Sequence, residues 1–189
     1  MITRSDFDAL ASQGFNRIPL VAQALADLDT PLSLYLKLTQ GKPLSFLLES
    51  VVGGERFGRY SFVGLPARTL VRSTGRHIEV VTDGAVVETH ESNPLDFIEA
   101  YQARFKAAVP QGLPRFCGGL AGYFGYDTVR HIEPRLAKTH KPGGIGTPDI
   151  LLLQCEELAV IDNLADRLFL IVYADPAQLG AYDRAVERL

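Results

Sequence analysis

The sequence predicts an α+β fold, a mostly antiparallel β-sheet with a few inserted helices. Three observations predict it. Segments rich in β-branched and aromatic residues follow one another without helices between them. Asp83-Gly84, flanked by His77-Ile78-Glu79-Val80 and Ala85-Val86-Val87-Glu88, is a strong hairpin signal. The helical patterns that remain are short and do not alternate with strands as βαβ units require. A length of 189 residues suits a single domain over 1–189, with one sizeable core.

Each element has its own signal. Ser5 ahead of Asp6-Phe7-Asp8-Ala9-Leu10, with Gly14 behind, predicts a short capped helix. Residues 16–28 are apolar without a strong period. Thr30-Pro31 followed by Leu32, Tyr35, Leu36 and Leu38, then Gly41, combines a polar cap, proline at the first helical position and glycine at the exit. Leu44 to Glu49, Arg59 to Gly64 and Thr69 to Ser73 read as strands ahead of the hairpin. Asn93-Pro94 opens a helix with Leu95, Ile98, Tyr101 and Phe105 on one face, ending before Pro110. Phe116 to Tyr126 is a glycine-rich strand, and Asp127 is placed to cap a helical turn over Thr128 to Ile132. Residues 133–148 predict a loop or mobile flap. Ile150 to Leu153 and Leu158 to Ile161 are core strands, and Leu168 to Tyr173 pairs back across a turn at Asn163 to Asp166. Asp175-Pro176 predicts a last helix with Leu179, Tyr182, Val186 and Leu189 on one side. No stop signal follows, so the pattern predicts a truncated piece of a longer chain.

Composition narrows the function. Lys and Arg number 19 against 22 Asp and Glu, a net charge of −3, with no basic excess to neutralise a phosphate backbone. Nucleic acid is therefore not expected as a partner. No apolar run reaches the ~20 residues of a membrane helix, and Met1 to Asp6 lacks the apolar core of a secretion signal. Two cysteines, Cys117 and Cys155, cannot build a disulfide framework, and a reducing cytoplasm is the simplest setting.

Several segments invite a chemical reading. His77, His90, His131 and His140 show no metal-ligand spacing, and nothing marks Cys117 as an activated nucleophile, so neither a metal nor a catalytic residue is assigned. Gly118 to Asp127 lacks both the Gly-x-Gly-x-x-Gly order and a P-loop ending. It reads as a kinked strand in which glycine lets a neighbouring backbone come close. The most informative stretch runs from Phe46-Leu47-Leu48-Glu49-Ser50 to Gly54-Glu55-Arg56-Phe57-Gly58-Arg59-Tyr60-Ser61-Phe62. A free amino acid needs a carboxylate for its ammonium, donors for its carboxylate and an apolar slot, and these residues can supply all three. Residue types alone favour the plainer reading, in which Glu49 and Arg59 are an ordinary cross-strand ion pair of the kind common on sheets.

These same residues resemble a known family, the N-terminal region of anthranilate synthase component I, a chorismate-using enzyme. The matching motifs are Asn16-Arg17-Ile18-Pro19-Leu20, Thr30-Pro31-Leu32-Ser33-Leu34-Tyr35, Leu47-Leu48-Glu49-Ser50, Gly54 to Phe62 and Gly118 to Asp127. Pro148-Asp149, Glu156 and Asp162-Asn163 continue the series in order along nearly the whole chain. The related aminodeoxychorismate synthase of folate synthesis is the alternative, and the Leu-Leu-Glu-Ser run favours the anthranilate enzyme. A stand-alone amino-acid-binding module is a third reading.

The resemblance implies an N-terminal regulatory and scaffolding domain that packs on a chorismate-binding domain of the same chain and helps form a feedback site for L-tryptophan. It implies Leu48, Glu49 and Ser50 as ligand residues, with Arg59, Tyr60 and Ser61 beside them. The full enzyme of this family is a lyase of tryptophan biosynthesis. It uses Mg²⁺ and ammonia from a glutamine amidotransferase subunit, component II, to convert chorismate to anthranilate and pyruvate. The family's catalytic and Mg²⁺-binding residues lie downstream, so this piece alone is expected to be inactive and to hold no cofactor.

Overall fold

The computed structural model describes residues 1–26, 28–49, 58–133, 135–136 and 145–189. The chain divides into two compact units. The first comprises Met1–Ala67, Phe105–Gly119 and Cys155–Leu189; the second comprises Arg68–Arg104 and Leu120–Gln154.

In the first unit, five strands pair in the order β1 (Ile18–Leu25), β10 (Arg167–Ala174), β9 (Glu157–Asp162), β3 (Tyr60–Gly64) and β2 (Phe46–Leu48). All four pairings are antiparallel. The apolar run of β9 is buried along nearly its whole length, as expected of a central strand covered on both faces. Helices α1 (Arg4–Ser12) and α4 (Ala181–Arg188) pack Phe7, Ala181 and Ala185 onto Ile18, Leu20, Val172 and Ala174. Helix α2 (Pro31–Thr39) sets Leu34 on Val63, Ala159, Ile161 and Leu168. Its predicted cap is present: Thr30 Oγ1 accepts from the Ser33 N–H at 3.1 Å, and Pro31 needs no partner at the first turn.

Two helix starts differ from expectation. Thr3, not Ser5, caps α1, because the Asp6 N–H donates to Thr3 Oγ1 and the Thr3 N–H donates to Asp6 Oδ2, closing a reciprocal box. Helix α4 starts after Gly180, whose φ of +68° interrupts any helix begun at Asp175-Pro176. Leu179 consequently falls outside the helix and is 95% exposed.

In the second unit, the order is β6 (Ala85–Glu91), β5 (His77–Thr82), β4 (Thr69–Thr74), β8 (Ile150–Cys155) and β7 (Gly119–Phe124). Helix α3 (Pro94–Gln102), capped by Asn93, covers Ile150 and Leu152 with Ile98. Phe105 lies beyond its end, and Pro94, Phe97, Ile98 and Tyr101 form the buried face instead. Asp83 and Gly84 have φ of +51° and +82°, the two positive values that a tight hairpin turn requires. A Cβ at Gly122 would overlap the Leu151 carbonyl oxygen. The glycine-rich strand is therefore a close backbone approach and not a phosphate cradle. The turn after it is a 3₁₀ helix, Tyr126–His131, begun by Gly125 without a side-chain cap; Asp127 sits inside it, 3.1 Å from Arg130. Most of the predicted loop at 133–148 lies outside the described residues. Among the described residues, no helix is long and apolar enough to cross a membrane.

Candidate functional site

Strand alternation positions the site on β2 and β3. Ser61 and Val63 turn toward α2, and Tyr60 and Phe62 turn to the opposite face. Leu48 is the register partner of Phe62, so the two side chains lie side by side on that second face. Phe116 meets Phe62 edge to face, with centroids 5.5 Å apart, and Phe46 lies 6.5 Å from Phe116. Tyr60 is 6.3 Å from Phe62. A Cβ at Gly64 would overlap the Phe46 ring, so glycine makes room for it. The result is a row of aromatic groups on which Leu48 remains 52% exposed.

A charge anchor lies at the end of this row. Arg59 Nε donates to Asp162 Oδ1 at 3.0 Å and to Oδ2 at 3.2 Å, and its Nη2 donates to Oδ2 at 2.7 Å. The Asp162 side chain is 4% exposed and that of Arg59 is 41%. Asp162 also accepts from the N–H groups of Leu164 and Ala165 at 3.2 and 3.3 Å. The Arg59 bond holds the Asp162 carboxyl below the usual carboxylate range; burial pushes the other way, and the two backbone donors add to the lowering. The same contact raises Arg59. The guanidinium carbon stands 4.9 Å from the Tyr60 ring centroid. Asn163 completes the anchor: its Nδ2 donates to Ser61 Oγ and to the Gly58 carbonyl, both at 3.2 Å, and its N–H donates to the Arg59 carbonyl at 2.7 Å.

The predicted site residues thus separate. Leu48, Arg59 and Tyr60 come together on one face, and Glu49 follows Leu48 in an exposed position. Ser61 is fully buried, pointing to the other face, with its hydroxyl already accepting from Asn163. Ser50 lies outside the described residues. The simple alternative of a Glu49–Arg59 pair is corrected: the carboxylate on Arg59 is Asp162, because register places Asp162 opposite Tyr60. Asp162 and Asn163 are the residues that the sequence-based assignment left out. Their signal is a carboxylate ending the apolar run Leu158-Ala159-Val160-Ile161, a position where a buried charge demands a partner.

Neither cysteine is exposed: Cys117 Sγ lies 3.5 Å from Tyr173 Oη, and burial pushes the Tyr173 phenol up. Among the described residues, no group of three or more His, Cys, Asp or Glu side chains is placed to hold a metal ion.

No protein-family model matches the chain. Curated relatives do. Anthranilate synthase component 1 of Neisseria meningitidis serogroup C is 57% identical over all of this chain and 39% of its own length. The Pseudomonas putida protein of that name is 50% identical over the whole chain and 38% of its own length. Along its full length, this chain is related to anthranilate synthase component 1. The resemblance drawn from the motifs is borne out. The Synechocystis component 1 is 36% identical over 90% of the chain and 33% of its own length. A crystal structure of anthranilate synthase component I from Streptococcus pneumoniae shares the fold, with a TM-score of 0.52 and 22% identity over 87% of this chain and 35% of that one. The α+β architecture expected from the sequence agrees with it. The chain spans 39% of the length of the Neisseria relative.

Proposed function

We propose that the chain is the N-terminal regulatory part of an anthranilate synthase component I. The observation that carries this reading is identity at 57% along the entire chain within 39% of a component 1 relative. The intact polypeptide would convert chorismate and glutamine-derived ammonia to anthranilate and pyruvate, in the cytoplasm, with Mg²⁺ held by its chorismate-binding domain. Component II would deliver the ammonia. The piece described here would carry out no turnover alone.

Its own role would be to help bind L-tryptophan as a feedback effector. Leu48 and the Tyr60–Phe62–Phe116 row suit an indole. Glu49 suits the ammonium, Arg59 the carboxylate, and Ser50 offers a hydroxyl. Ser61, being buried, would act from behind by fixing Asn163. Tryptophan bound there would shift the enzyme toward an arrangement poor in catalysis.

The test is tryptophan inhibition of anthranilate formation by the intact polypeptide. Ser50→Ala is expected to weaken inhibition by the equivalent of one hydrogen bond, about 0.5–1.5 kcal/mol, with Glu49→Ala weakening it as well. Unchanged inhibition in both variants would remove the site assignment, and aminodeoxychorismate as the product would remove the pathway assignment.

A further inference from the structure

An arginine has two edges that can each hold a carboxylate: the side edge, Nε with Nη2, and the end edge, Nη1 with the outer hydrogen of Nη2. In Arg59 the side edge is taken. Both of its nitrogens donate to Asp162, at 2.7 to 3.2 Å. Among the described residues, Nη1 makes no hydrogen bond, and the side chain is 41% exposed. Asp162 is itself immobilised. It is almost fully buried, and two N–H groups of the β9–β10 turn bind the same oxygen that accepts from Arg59 Nε. The backbone of Arg59 is fixed too, since its carbonyl accepts from the Asn163 N–H at 2.7 Å. The guanidinium is thus pinned at both ends over the Tyr60 ring, next to the apolar row that includes Leu48.

We infer that Asp162 is a positioning residue for the amino-acid site: by occupying the side edge of Arg59, it aims the end edge at the carboxylate of the bound amino acid. The inference rests on the reading of this face as a tryptophan site and adds a residue that touches no ligand. A cation already fixed in one orientation loses little freedom when the ligand arrives, which is how a preorganised donor gains affinity. Asp162 neutralises the arginine in part, so the site favours a zwitterionic amino acid over a bare anion.

The experiment is calorimetric titration of the intact polypeptide with L-tryptophan and with tryptamine, which keeps the indole and ammonium but lacks the carboxylate. Asp162→Asn is expected to weaken tryptophan binding about tenfold, the lower end for a charge-assisted bond, and to leave tryptamine unaffected. In an Arg59→Gln background, Asp162→Asn is expected to add nothing further for tryptophan. Arg59→Lys keeps the charge but offers no second edge, so it should lose tryptophan affinity like Arg59→Gln; this arm stands even if the Asp162 variant does not fold. Equal losses for both ligands, additive losses in the double variant, or full affinity in Arg59→Lys would each overturn the inference. If the unaltered protein binds no tryptophan, the reading of the site falls and takes the inference with it. Tight wild-type binding with an indifferent Asp162→Asn overturns the inference alone.

Discussion

The Asp162 anchor of the first unit and the hairpin pairs of the second use charge in opposite ways. In the first unit, Asp162 lies almost fully buried under Arg59 and two backbone donors, and its bonds join β3 to the β9–β10 turn. In the second unit, Arg68–Asp83 at 2.5 Å and Arg72–Glu79 and His77–Glu91, both at 2.6 Å, lie along the β4–β5–β6 surface facing water. The distances are alike, but the surroundings differ. A buried carboxylate cannot be rehydrated in place when its partners go, whereas an exposed pair exchanges its bond for water at little loss. Short distances alone therefore do not rank these pairs; burial of the acceptor does.

The largest expected effect is at the buried anchor. Asp162→Ala removes the acceptor of Arg59 and of two backbone N–H groups, and should destabilise the protein by about 2 kcal/mol. At this chain length, that corresponds to a fall of roughly 4–8 °C in Tm. Asp83→Asn in the hairpin, which removes the charge of a pair just as short while suiting the positive φ of the turn, should leave Tm nearly unchanged. A Tm loss at Asp83 matching that at Asp162 would break the comparison.

The next effect is an acid dependence. The Asp162 carboxyl lies below its unfolded value of about 3.9, so the folded state binds the proton less readily than the unfolded state does. Its contribution is therefore complete above the unfolded value and disappears as pH falls through the folded one. Urea unfolding followed from neutral to acid pH should show this loss, and Asp162→Asn should flatten that part of the curve. An unaltered curve in the variant would mean that other carboxylates dominate the acid limb.

The same contrast explains what could be read from the sequence. The hairpin is local: Asp83-Gly84 and the alternation on either side specify it without any distant residue. The glycine pattern at 118–127 pointed correctly to a close approach, because the demand falls on the glycine itself. The anchor joins Arg59 to Asp162 across 103 positions, and no local period reveals such a pairing. Glu49 looked like the natural partner for Arg59 because it is near in sequence, but β9 lies between β3 and β10 and brings a different carboxylate. Ser61 was within reach: strict alternation from Tyr60 to Val63 already places it with Val63 on the inner face. The start of α4 was missed because Asp175-Pro176 has the chemistry of a helix opening, while Gly180 decides it through its backbone.

The smallest effect belongs to His77. Its Nδ1 lies 2.6 Å from Glu91, its Nε2 lies 3.6 Å from Glu79, and Glu79 is itself held by Arg72. The Glu91 bond raises the imidazole above its ordinary value, against desolvation, with Glu79 adding to the rise. The sign is therefore opposite to that of Asp162. The contribution is fully present below the unfolded histidine value of about 6.5 and is lost as pH rises through the folded one. Because the pair is exposed, the gain is small and salt weakens it further. Nuclear magnetic resonance titration of the His77 ring should give a midpoint above the ordinary histidine value, and Glu91→Gln should bring it down. Raising the salt concentration should lower it in the same direction. A midpoint that ignores both salt and Glu91→Gln would mean that this strand pair, like the anchor of the first unit, shields its charges from water, and the contrast between the units would no longer hold.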